Sequence, residues 1–115
     1  MEIPRLASNS PLREDRMRTM IRLKIPVEAG NRGIQDGSLP KAITEALQRL
    51  KPEAAYFFPE HGVRTAMMFV DVKEASDIPA IVEPFFSQLN AAVEILPVMN
   101  ADDLKAGLAK IRPKA

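Results

Sequence analysis

The 115 residues contain one histidine, one tyrosine and no cysteine, so few side chains can carry acid–base, nucleophilic or redox chemistry. Without cysteine, thiolate nucleophiles, thiolate metal centres and disulfides are excluded. His61 is the natural candidate for a general acid or base, or for a haem ligand, because imidazole titrates near neutral pH. It stands between Glu60 and Gly62, however, in a setting that reads as a turn tip, where polar side chains sit for solvation. Apart from Glu60, no carboxylate surrounds His61 and no HxxxH or HExxH spacing is present, so no metal site is expected.

Arg22 and Glu94 are the more informative pair. If their strands are neighbours, the two side chains share a sheet face. The guanidinium could then grip the carboxylate of a small substrate in two-pronged fashion. Alternatively, the pair is a partly buried salt bridge that fixes the register of an interface between two copies. Tyr56 is either a core ring with a satisfied hydroxyl or a hydrogen-bond donor in a cleft. The stretch 27–37 holds three glycines but neither GxGxxG nor GxxxxGK, so it is no recognisable phosphate cradle. It reads as a loop, in which Asn31, Arg32 and Gly33 form a small anion site, a lid or a plain connector. No cofactor motif is present, and the cofactor, if any, is left unspecified.

The elements that would position these residues follow from periodicity. Met17–Ile25 alternates, with Thr19, Ile21, Leu23 and Ile25 on one face and Arg18, Met20, Arg22 and Lys24 on the other. Pro26 ends that strand. Ser38 is the expected N-cap of a helix with Pro40 in its first turn, carrying Leu39, Ile43, Ala46, Leu47 and Leu50 at helical spacing. A short aromatic strand, 54–59, and a returning strand, Val63–Val72, flank a hairpin tip at Glu60, His61 and Gly62. Ser76 or Asp77 is expected to cap a second helix with Pro84 inside its apolar stripe, bending it. The last strand is 92–98, and Asn100 with Asp103 opens a short terminal helix. Residues 1–16 show no apolar periodicity and read as a peripheral extension, with Met17 a possible initiator; 17–115 form one domain.

The order is therefore β-α-β-β-α-β with an added helix. This predicts an α+β fold of ferredoxin-like type, an antiparallel sheet of order 4-1-3-2 with both helices on one face. The other face would be bare. It would carry Met20, Arg22, Met67, Phe69, Leu96, Val98 and one or two of the aromatics at 56–58, too apolar to leave in water. A homodimer is the expected outcome. Sixteen basic against fifteen acidic residues leave a net charge of +1 and no basic patch, so nucleic acid is not an expected partner. No apolar run approaches about 18 residues, so neither a membrane span nor a membrane partner is expected, and a cytoplasmic location is the default.

The stretches IPVEAGN (25–31), DGSLPKAI (36–43), KPEAAYF (51–57), IPAIVEPFF (78–86) and LPVM (96–99) resemble a bacterial family of small uncharacterised proteins of the dimeric α/β-barrel type. The resemblance implies a ferredoxin-like subunit whose bare sheet face meets a second copy across a two-fold axis. Some members carry the label pantothenate synthetase. That activity uses two histidines near its nucleotide, and His61 is the only one here. The wider superfamily spans monooxygenases, isomerases, haem enzymes and proteins without known activity, so fold alone does not choose a function. Two classes remain open: a cofactor-independent enzyme or binder of a small molecule, and a non-catalytic interaction or regulatory dimer module.

Overall fold

The structure, a computed structural model, describes residues 16–111. The N-terminal extension expected over 1–16 thus lies outside the described residues, except for Arg16. The elements in chain order are β1 (Met17–Ile25), α1 (Val27–Asp36), α2 (Ser38–Leu50), β2 (Ala54–Glu60), β3 (Val63–Val72), α3 (Ile78–Leu89), β4 (Ala92–Pro97) and α4 (Ala101–Lys110). The strands form one open antiparallel sheet of order β2-β3-β1-β4, as the alternation and the crossover rules require. The two strands with an internal or terminal proline, β2 with Pro59 and β4 with Pro97, are the edge strands. An edge tolerates proline because the missing N–H faces away from the ladder.

Every second residue of β1 points into the core. Ile21 and Leu23 are fully buried beside Ala66 and Met68 of β3, and helices α2 and α3 cover them with Leu39, Ala42, Ala46, Ile81, Phe85 and Leu89. Thr19 and Thr65 are buried polar residues, and each hydroxyl donates to a nearby carbonyl, Met17 O at 2.9 Å and Val63 O at 3.0 Å. Their burial is therefore compensated.

The structure corrects the expected loop at 27–37. That stretch is helix α1, with Pro26 at its N-cap and Gly37 in the left-handed conformation at its end. Two of its glycines act as spacers within the helix. A Cβ on Gly30 would lie 2.5 Å from Arg64 Nη1, and one on Gly33 would lie 2.7 Å from Leu39 Cβ. Both positions are buried. At Gly33 the neighbours are Leu39 Cβ and backbone, so α1 approaches α2 this closely because a side chain is absent, whereas at Gly30 the neighbour is the movable end of Arg64. The anion site, lid or connector at Asn31, Arg32 and Gly33 dissolves into this helix, where Asn31 Oδ1 accepts from Arg64 Nη1 at 3.2 Å. Ser38 is likewise inside α2 instead of capping it: Gly37 is the N-cap, and the Ser38 N–H donates to Asp36 Oδ1 at 2.8 Å.

Before α3 the chain makes a 3-10 turn over Ala75–Asp77, capped reciprocally by Glu74 and Asp77. Asp77 is the N-cap of α3, as one of the two expected residues, but its carboxylate serves the turn. Pro84 lies inside α3 without interrupting it. A proline at this position leaves the carbonyl four residues earlier, that of Ala80, without its helical donor. Arg49 of α2 supplies one: its Nη1 donates to Ala80 O at 3.2 Å while its guanidinium sits 5.6 Å from the centre of the Phe85 ring. The helix-breaking residue thereby becomes a link between α2 and α3.

Candidate functional site

The face of the sheet opposite α2 and α3 is where the candidate residues meet. Cross-strand register places Tyr56, Met67, Arg22 and Glu94 in one row running from β2 to β4. On the hairpin side the next row is Phe58, Thr65, Lys24 and Ala92; on the other side it is Ala54, Phe69, Met20 and Leu96. Among the described residues no buried helix side chain packs on these rows; Thr65 is itself buried, while half of the Leu96 surface is exposed. One row is apolar and its neighbour carries the charge.

Arg22 organises the charged part. Its Nη1 donates to Glu60 Oε1, and its Nε lies 3.5 Å from Glu94 Oε1. Lys24 Nζ approaches the same Glu60 oxygen at 3.3 Å. Two cations thus balance two carboxylates. Desolvation pushes the Glu60 carboxyl upward, but the hydrogen bond from Lys24 and the charges of Arg22, Lys24 and His61 outweigh it and hold the group below the usual glutamate range. Glu60 is the more tightly held partner, with 29% of its side chain exposed against 67% for Glu94.

The expected pairing of Arg22 with Glu94 is present, but the stronger partner is Glu60, a residue expected at the hairpin tip. The signal was there. The His61–Gly62 pair has positive φ at both residues (54° and 76°), the requirement of a two-residue type I′ turn. That turn extends β2 to Glu60 opposite Val63, and the alternation Tyr56, Phe58, Glu60 then falls on the Arg22 face. His61 occupies the tip itself and is exposed, as its turn chemistry suggests. Tyr56 is a correction to both of its expected environments: it is 59% exposed on the open face, in neither core nor cleft.

At the far end of the same face Arg18 forms a second node. Its Nε lies 3.3 Å from Glu53 Oε1 and its Nη1 2.7 Å from Asp103 Oδ2, in the first turn of α4. The hydrogen bond to Glu53, against desolvation, holds the Arg18 guanidinium still more firmly protonated. Two apolar pockets, of about 360 and 400 Å³, open on the helix-covered side, one near Met17, Val72 and Ile78, the other near Ile34, Ile43 and Phe57. Neither is lined by Arg22, Glu94, Tyr56 or His61. Among the described residues no group of three or more His, Cys, Asp or Glu is placed to hold a metal ion, and no helix is long and apolar enough to cross a membrane.

Compared with family models, curated proteins and solved structures, the chain matches none of them.

Proposed function

We propose that this chain is a self-associating interaction module, two copies of which stack their open sheet faces about a two-fold axis. The arrangement is that of ferredoxin-like subunits closing a dimeric α/β barrel, in keeping with the sequence resemblance. The observation that carries the reading is the composition of the open face. An apolar row of Met20, Phe69 and Leu96 lies beside a charge cluster that is already neutral within one chain. A neutral, internally hydrogen-bonded cluster costs far less to bury than a lone charge. Mixed signs on one patch also make it complementary to itself, which a two-fold interface demands.

The small-molecule reading asks Arg22 to receive an incoming carboxylate. Glu60 and Glu94 already occupy that guanidinium, and a substrate would have to displace them. The cluster therefore suits a clasp better than a receptor. Sedimentation velocity over a dilution series tests the reading. The native chain is expected to be dimeric at micromolar concentration. Met67→Glu adds a third carboxylate beside Arg22 and leaves the cluster with net negative charge at the centre of the face, so it is expected to be monomeric with unchanged circular dichroism. A native chain that stays monomeric at hundreds of micromolar overturns the proposal.

A further inference from the structure

The cleft beside the β2 edge holds a cation that the chain itself does not balance. Cross-strand register sets its floor: Ala66 lies between Phe57 and Leu23, and Arg64 between Pro59 and Ile25. Ala66, a single methyl between two large side chains, leaves room above it. Ile34 of α1 and Leu39 and Ile43 of α2 form the other wall of this cavity of about 400 Å³. That volume is at the small end of the range in which pockets hold drug-sized molecules. Ile34 and Phe57 both line it and are 54% and 52% exposed. Singly exposed apolar residues are ordinary, but two from separate elements on one cleft leave apolar surface there uncovered. Arg64 is the one charged residue among the described residues that line it. Arg16, Arg18 and Arg22 each meet a carboxylate. Among the described residues no carboxylate lies within 4 Å of Arg64. Its partner is neutral: Nη1 donates to Asn31 Oδ1 at 3.2 Å, over Gly30. Asn31 thus orients the guanidinium without cancelling its charge, and further N–H donors remain for an acceptor.

We propose that this cleft binds a small amphiphilic carboxylate, with its apolar body between Phe57, Ile34 and Ile43 and its carboxylate on Arg64. Two features select that class. The lining is apolar apart from Arg64 and Thr65, and the Thr65 hydroxyl already donates to Val63 O, so a sugar-like body would leave its hydroxyls without partners. One guanidinium also matches one negative charge and the planar fork of a carboxylate, whereas a phosphate monoester brings nearly two charges. The site is separate from the proposed self-association. It lies on the helix-covered side of the sheet, and a chain that stays monomeric would retain it.

The test is an amide NMR titration of the full chain with octanoate and, separately, with octanamide, which has nearly the same shape and no charge. Octanoate is expected to give saturable shifts centred on Ile34, Phe57 and Arg64. Octanamide should bind about tenfold or more weakly, because the charge-assisted hydrogen bond is lost. Arg64→Gln should weaken octanoate about ten- to a hundredfold and leave octanamide within about twofold. Lys105→Gln, which removes an exposed cation on α4, should change neither. The comparison of the two probes uses the native chain, so it decides the matter even where Arg64→Gln does not fold. Equal affinity for both probes overturns carboxylate recognition. No saturation by about 10 mM octanoate, or shifts centred on the cavity near Met17 and Ile78, overturns the site. A folded Arg64→Gln chain that binds octanoate normally removes Arg64 from it.

Discussion

The two faces of one sheet differ although the same strands build both. On the covered face β1 contributes Ile21 and Leu23, fully buried under α2 and α3; on the open face it contributes Met20, Arg22 and Lys24, all half-buried. The covered face is completed within the chain. The open face carries apolar side chains of the same kind, but its polar groups are satisfied sideways, strand to strand, by ion pairs lying in the surface. Pairing charges laterally lowers the cost of covering such a surface relative to covering lone charges.

The sharpest way to break this contrast is truncation on each side. Leu23→Ala should cost about 2–5 kcal/mol in urea unfolding, the usual cost of a core cavity. Met20→Ala, on the same strand but the opposite face, should cost less than about 1 kcal/mol when measured on the monomer. Equal losses would mean that the open face is packed within the chain. Glycines sharpen the same point. Gly33→Ala should destabilise by about 1–3 kcal/mol because its Cβ meets Leu39, although alanine is the better helix former. Gly107→Ala, where nothing lies within 4 Å, should instead stabilise α4 by about 0.5–1 kcal/mol, read as increased helicity.

A smaller effect lies under the covered face. If Arg49 serves the carbonyl that Pro84 orphans, Arg49→Met should cost more in the native background than in Pro84→Ala. A coupling of about 0.5–1.5 kcal/mol from a double-mutant cycle is expected. No coupling would reduce Arg49 to its contact with Phe85.

The smallest effect belongs to Glu60. Its carboxyl is held below the ordinary glutamate range in the folded chain, so the stabilisation it provides is full above the unfolded pKa and is lost as pH falls through the folded value. The melting temperature of the native chain should therefore drop more than that of Glu60→Gln on acidification from neutrality to about pH 3. Parallel pH profiles would show that the Arg22–Glu60–Lys24 contacts contribute nothing in solution.

Strand order and both sheet faces could be derived before any coordinates, because period-two alternation is unambiguous in Met17–Ile25 and Val63–Val72. Helix α1 could not. Gly30 and Gly33 lower helix propensity, and only the neighbouring Leu39 reveals why a side chain is excluded at Gly33. The candidate site divides along the same line. Arg22 opposite Glu94 follows from register, whereas Glu60 depends on the conformation of a two-residue turn. Arg49 serving Ala80 is a tertiary contact between separate helices, beyond the reach of local pattern.

The central claim, that the open face meets its own copy, can be tested by proximity. The chain has no cysteine, so single thiols can be placed at will. Face-stacked sheets lie about 10 Å apart, within reach of a short bis-maleimide. Met67→Cys, at the middle of the open face, should give a covalent dimer at micromolar concentration, while Gln48→Cys, exposed on α2, should remain a single chain. Crosslinking through Gln48→Cys with none through Met67→Cys would place the contact on the helices and contradict the account.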